Sequence, residues 1–375
     1  MALDLAERQN LELVAVRLQR SVALAGIRTA RQIPNPAVAA QAARDTPHES
    51  LTVGIPLEIG GQRGRRVDVA NAEVSVTEAA IEAVSRQIRR RVREAFFNVA
   101  LAHGLTLQRG NALELATRLR DIAQARLDSG DVPQLEVFQA ELEVARAQTQ
   151  IEVARAQELA ASNELSVLLN EPAGTMWDLG NAMEMLPPAI ALPDLIQRAS
   201  ASNAQLQTLL RELTAEQARH SLLRAERVPD LGLEAGVDFN SSPDFRRGAR
   251  AAVSIDVPIF TRNQGELAQS EAQQLVLEAS VTATRSAVAG GVGTAFYEYS
   301  ARQREVTLQR DTLLPAVQRI ESLAEESYRE GRESILFVLG AQRDVQQIQI
   351  DYLRSLSSLQ AAFAALEEIV GAPLE

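Results

Sequence analysis

At 375 residues the chain could form two ordinary globular domains, yet aromatic residues make up only 4% of it, thin for a large core built on bulky side chains. Ala, Leu, Gln, Glu and Arg dominate instead, the composition of long helices packed through small residues. The absence of cysteine excludes disulfides, a thiol nucleophile and cysteine metal ligands, and a net charge of −11 disfavours a nucleic-acid partner.

There is no lysine, so all 38 basic residues are arginine, which reads as compositional bias rather than function. No run of 18 apolar residues predicts a transmembrane helix. No signal peptide is recognisable, but the chain opens Met-Ala-Leu-Asp inside a helical pattern, as a chain trimmed of an export signal would.

Residues 3–32 read as helix, stopped by Pro34-Asn35-Pro36. From Ser50 to Ile59 the pattern changes to period two. Leu51, Val53, Ile55, Leu57 and Ile59 alternate with Ser50, Thr52, Gly54, Pro56 and Glu58, which predicts a strand with one apolar and one polar face. Its expected hairpin partner is 36–44, joined through Asp45-Thr46-Pro47-His48, so the hairpin covers 36–59. Residues 63–128 contain no proline, and a helix of that length would run roughly 100 Å, beyond any ordinary globule. Ser129-Gly130-Asp131 turns the chain, Val132-Pro133 restarts it, and a return helix covers 133–170. An irregular connector over 173–192 follows, in a proline-rich stretch holding the single tryptophan, Trp177.

The pattern then recurs. A helix over 193–227 leads to two more alternating strands within 229–259. Leu231, Leu233, Ala235, Val237 and Phe239 share one face of the first, and Ala249, Ala251, Val253, Ile255, Val257 and Ile259 one face of the second. The expected loop between them is Asn240-Ser241-Ser242-Pro243-Asp244. A second long helix covers 264–329 with a kink expected at Pro315, then a turn at 330–333 and a return helix over 334–371. That last helix shows a seven-residue period through Val345, Ile348, Tyr352, Ser355, Leu359, Ala362, Leu366 and Ile369, the mark of coiled-coil packing. Gly130 and Gly331, Leu135 and Leu336, Val137 and Val338, Ala140 and Ala341, and Pro172 and Pro373 are each 201 residues apart. The chain is one unit used twice: residues 1–172, a connector, and residues 193–375.

Strands of about 10 residues match a bilayer core. In lipid they must close into a barrel, and four strands cannot close where about eight is the practical minimum. The chain is therefore expected to oligomerise, each copy donating four strands. The charges Glu58, Asp230, Glu234, Asp238, Arg250 and Asp256 all fall on the polar faces, which a wet lumen and a lipid exterior explain together. Two amphipathic hairpins on a soluble helical rod or adaptor are the rival, and should carry charge on both faces.

The order of elements, with Pro34-Asn35-Pro36, the pairs Pro56/Gly64 and Pro258/Gly265, Leu313-Leu314-Pro315 and the turn around Gly331, resembles the TolC-like outer-membrane efflux factor family, leaning to the heavy-metal (CzcC/CusC-like) branch. The resemblance covers nearly the whole chain. It implies a mainly α fold with a small β part: a long α-helical coiled-coil barrel plus four β-strands per protomer in a trimeric 12-stranded transmembrane β-barrel. It implies a homotrimer in the outer membrane of a Gram-negative bacterium, in contact with its lipid, with a large periplasmic tunnel. The partners it implies are a periplasmic adaptor (membrane fusion) protein and an inner-membrane pump of RND type. The expected function is the passive exit duct of a tripartite efflux system. The duct of a type I protein-secretion system shares the fold and stays open as an alternative.

By that resemblance the helix turns form the periplasmic gate and adaptor contact, comprising Gly130, Glu136, Tyr328, Gly331, Arg332, Glu333, Phe337 and Gly340. Glu136 and Tyr328 resemble a pair that ties the tips closed. The family places an arginine two residues after the second glycine, where this chain has Glu333 beside Arg332. The family's paired aspartates at the constriction are Phe337 and Gly340 here, so an aperture closed by Phe337 is expected instead. Arg86, Arg89, Arg90, Arg91 and Arg93 read as a helix surface paired with acidic neighbours, and Gly290-Gly291-Val292-Gly293 as a site of close helix approach. His48, His103 and His220 lack a second ligand at metal spacing, no catalytic arrangement is recognisable, and no cofactor is expected.

Overall fold

The structure, a computed structural model, describes residues 2–45, 47–180, 183, 186–188, 190–242 and 245–374. Its elements run α1 (Ala2–Gln9), α2 (Leu11–Ala30), β1 (Ala37–Ala42), β2 (Glu49–Leu57), α3 (Gln62–Asp128), α4 (Gln134–Leu169), α5 (Leu192–Ser202), α6 (Ala204–Ala225), β3 (Leu231–Ser242), β4 (Phe245–Ile255), α7 (Gln264–Leu308), a π-helical segment (Gln309–Leu313), α8 (Leu314–Arg329) and α9 (Ile335–Val370). They fall into two compact units, one of Met1–Val14, Val84–Asn203 and Ala287–Glu375, the other of Ala15–Ala83 and Ala204–Ser286. Among the described residues no helix is long and apolar enough to cross a membrane.

The first unit is helical and carries the duplication in its core. One cluster gathers Leu13, Val92, Val99, Leu165 and Leu169, and another gathers Val292, Tyr299, Leu359, Leu366 and Val370. Leu165 and Leu169 stand 201 residues before Leu366 and Val370. The return helices α4 and α9 both end in a left-handed residue, Asn170 and Gly371. The arginine run on α3 is paired outward to both neighbours: Arg89 with Glu7, Arg90 with Glu94 and Glu368, Arg91 with Glu12, and Arg93 with Glu367. At Gly291 a Cβ would meet Ile369 Cδ1 at 2.5 Å, so the missing side chain on α7 leaves room for the Ile369 side chain of α9.

Three helices depart from the expected pattern. The segments 3–32 and 193–227 are each split by one residue, Asn10 and Asn203. Asn10 Oδ1 accepts from the Leu13 backbone N–H at 3.0 Å, an N-cap, while its Nδ2 donates to Leu168 O at 2.8 Å. Asn203 Nδ2 donates to Ile369 O at 2.7 Å. Each asparagine thus supplies a donor to a carbonyl in the last turn of a return helix, which that helix cannot satisfy itself. The segment 264–329 is interrupted before Pro315, not at it. The π turn over Gln309–Leu313 widens the helix where the proline ring would strike the carbonyl of Asp311, and Pro315 then opens α8. In α9 the heptad positions are all buried or half-buried, but so are Leu339, Gln342, Leu356, Gln360, Phe363 and Ala364, so the helix is enclosed on several sides instead of along one seam.

The second unit holds a four-stranded antiparallel sheet in the order β1-β2-β3-β4. β2 and β3, from opposite halves of the sequence, pair from Glu49↔Phe239 to Leu57↔Leu231. β3 runs to Ser242, which pairs with Phe245 after a register irregularity, so the ladder enters the stretch expected to be loop. Pro243 and Asp244 of that loop, Thr46 of the first, and Asn181, Ala182, Glu184, Met185 and Ala189 of the connector lie outside the described residues.

Asn10→Ala removes a cap and a cross-helix donor together. It should lower unfolding stability by about 1–2 kcal/mol, and Asn10→Asp should recover part of this through Leu13. Urea unfolding followed by circular dichroism measures both.

Candidate functional site

The central strands of the sheet reverse the burial pattern of a soluble protein. On β2 the small polar residues are covered, Ser50 and Thr52 at 8% exposure, while Leu51 at 46% and Ile55 at 43% face out. The register aligns this outward face across the strands: Val38, Val53, Ala235 and Ala251 form one row, and Ile55, Leu233 and Val253 the next. Leu57, Leu231 and Ile255 follow. The other face aligns Thr52, Gly236 and Arg250, then Gly54, Glu234 and Ala252. Arg250 Nε lies 3.3 Å from Asp238 Oδ2, an ion pair on that polar face. Within the chain β1 and β4 each have one partner strand, leaving two edges.

Of the six residues expected on the strands' polar faces, Glu234, Asp238 and Arg250 lie within the ladder. Glu58, Asp230 and Asp256 lie one residue beyond strand ends, because the alternation in sequence continues past the last paired residue. Two of them anchor the sheet to α3. Glu58 forms an ion pair with Arg66, and Asp230 Oδ1 accepts from Gln62 Nε2 at 2.9 Å, which also donates to Val228 O.

The tip, in the helical unit, is built from two turns of the same kind. Gly130 and Gly331 have φ of 81° and 72°, values that disfavour any residue with a Cβ. At the first, Gly130 N–H donates to Leu127 O and Asp131 N–H to Arg126 O; at the second, Gly331 N–H donates to Tyr328 O and Arg332 N–H to Ser327 O. Both are Schellman turns, which satisfy the carbonyls that a helix end leaves open. Between them packs a cluster including Leu119, Ala123, Val137, Tyr328, Ile335 and Val338.

The structure joins some of the expected tip residues and leaves others apart. Tyr328 is fully buried, and its hydroxyl makes no hydrogen bond; Glu136 Oε2 is likewise buried without a partner. Burial, then the nearby Glu136 carboxylate, push the Tyr328 phenol above its ordinary range, with Arg126 opposing them. Phe337, 52% exposed, lies outside that cluster. Arg332 turns back to Glu330 at 2.8 Å, and Glu333 is exposed, so neither reaches the other tip. Gly340 is half-buried on α9.

The cross-tip cation is Arg126, which the sequence reading did not single out. Its guanidinium lies 5.1 Å from the Tyr328 ring centroid, and Nη1 donates to Tyr328 O at 3.5 Å. The signal was present in the duplication, since the residue 201 positions on is Ser327 and the arginine is unmatched. Farther along α4, Arg343 forms a bidentate contact with Glu143, with Nη2 at 2.9 Å from Oε1, again linking the two halves.

A phenol whose folded pKa is raised contributes stability below its unfolded value of 10.0 and loses it as pH rises through the folded value. The tip should therefore loosen above about pH 10, and Tyr328→Phe should remove that alkaline step with near-neutral cost at pH 7, since the hydroxyl has no partner to lose. Melting midpoints against pH for both proteins test this.

The family model described as outer membrane efflux protein matches residues 2–171 and 195–372. The cobalt-zinc-cadmium resistance protein CzcC of Cupriavidus metallidurans is 26% identical over 373 residues, covering 99% of this chain and 89% of that protein. The nickel-cobalt-cadmium resistance protein NccC of Alcaligenes xylosoxydans xylosoxydans is 25% identical over 62% of this chain and 54% of its own length. Among solved structures, CusC superposes with a TM-score of 0.77 at 18% identity, covering 99% of this chain and 91% of that one. With the family pattern spanning both halves of the duplication, the chain belongs to the outer membrane efflux protein family.

Proposed function

We propose that three copies of this chain form the exit duct of a tripartite efflux system, each donating its four strands to a 12-stranded barrel in the outer membrane. The observation that carries the reading is the outward apolar face of an unclosed sheet. Counted from beyond the row Glu49-Phe239-Arg247 to Leu57, the paired face spans eight residues of β2, about 26 Å of strand and about 20 Å of height at a barrel's usual tilt, most of the thickness of an outer-membrane band. Pairing β1 of one copy with β4 of the next satisfies both edges. Glu234 then faces the lumen and favours cations, while Arg250 and Asp238 offset each other. The helical unit forms the periplasmic tunnel, and the tip around Arg126, Glu136 and Tyr328 closes it, with Phe337 at the aperture. The tip turns present Arg332 and Glu333 to a periplasmic adaptor, which connects the duct to an inner-membrane pump of RND type.

The cargo we infer is divalent metal cations, supported by full-length similarity to a cobalt-zinc-cadmium resistance protein. The duct conducts them passively, with energy from the pump.

Expressed with an export signal and extracted in mild detergent, the protein should have a mass near three times 40.7 kDa. In planar bilayers Glu136→Ala should raise its conductance. A detergent-free monomer would sink the duct reading, and unchanged conductance would remove Glu136 from the gate. For the cargo, the chain should restore zinc, cobalt and cadmium tolerance to a host lacking the outer-membrane component of its metal pump. A conducting trimer that restores none of these would leave the duct standing and exclude metals.

A further inference from the structure

A cavity of about 270 Å³ lies in the helical unit between α3, α4 and α9, lined by Arg109, Glu143, Arg146, Gln342 and Arg343 among others. We propose that it binds a small oxyanion, a carboxylate or a phosphate, held by the two halves of the duplication together. Three arginines line it against a single carboxylate, Glu143, and that carboxylate is already engaged by Arg343 at 2.9 Å and Arg146 at 3.2 Å. Positive charge in the cavity therefore exceeds what the chain neutralises.

Arg109 is the unneutralised member. It donates to Gln150 Oε1 at 2.8 Å and has no carboxylate partner among the described residues. One of five guanidinium donors is thus committed. Burial, then the nearby Arg354, hold its pKa below the ordinary guanidinium value. An anion in the cavity would oppose both by its charge.

Guanidinium forks around one cavity match the in-plane oxygens of a carboxylate or the tetrahedral oxygens of a phosphate.

The duplication provides an internal comparison. The counterpart of Arg109 is Arg310, 201 residues on, and it is exposed and paired with Asp311 at 2.8 Å. Gln342 and Arg343 correspond to Glu141 and Leu142 in the first half. The arrangement therefore occurs once per chain, with Arg109 and Glu143 from the first half and Gln342 and Arg343 from the second.

Calorimetric titration of the detergent-purified protein with inorganic phosphate, and separately with succinate, tests the site at an ionic strength fixed by chloride. One saturable event per chain is expected. Arg109→Gln should weaken it by about tenfold or more, and Arg155→Gln, on α4 but outside the cavity, should leave it unchanged. Arg109→Lys keeps the charge but loses the planar fork and should also weaken binding, so the proposal stays testable if the Arg109→Gln variant misfolds. Response to phosphate alone or succinate alone assigns the oxyanion. No saturable binding of either, or equal binding by both cavity variants, overturns the site.

Discussion

A backbone placed in hydrocarbon must find a partner for every N–H and C=O, and that requirement organises the chain. The sheet satisfies it internally across β1, β2, β3 and β4 but ends in two edges. Its outward face is apolar, so water cannot serve those edges where lipid surrounds the strands. The two central strands come from opposite halves of the sequence. One hairpin from each half is therefore needed to make the sheet, and each half must bring its chain back to the same place. The helices, the turns and the duplication serve that return.

The same logic explains why the helical unit is tied so often across the two halves. Arg126 reaches the Tyr328 turn, Arg343 holds Glu143, and Arg90 and Arg93 hold Glu368 and Glu367. Surface pairs of this kind contribute little singly. Placed at intervals along α3, α4 and α9, they fix the register between long helices whose small side chains allow sliding. With no lysine in the chain, every such tie uses a planar fork, which restricts angle as well as distance.

Much of the architecture was legible because it rests on strong local signals. Period-two alternation at Leu51–Leu57 is unmistakable, the proline-free stretch before Gly130 leaves little but helix, and a glycine with positive φ is the ordinary way to end one. What escaped reading depends on partners distant in sequence. Asn10 looks like any helical polar residue until Leu168 O stands beside its amide. Glu58, Asp230 and Asp256 continue the strand pattern in sequence, yet hydrogen bonding stops before them. Arg126 and Arg109 resemble their many exposed neighbours, and only packing against the other half sets them apart. The π turn needed the backbone itself, since Pro315 announces a disturbance without saying how the chain absorbs it.

That turn also breaks the equivalence of the halves. The first half ascends to its tip in one uninterrupted helix, whereas the second reaches its tip through α7, a widened turn and the short α8. One strut is continuous and the other is jointed, and only the 16 residues of α8, Tyr328 among them, separate the joint from the tip. Stress applied at the tips would bend the jointed strut first. In the ring of three chains proposed above, six turns of the same kind would alternate between stiff and compliant, so the mechanical symmetry of such a ring would be threefold.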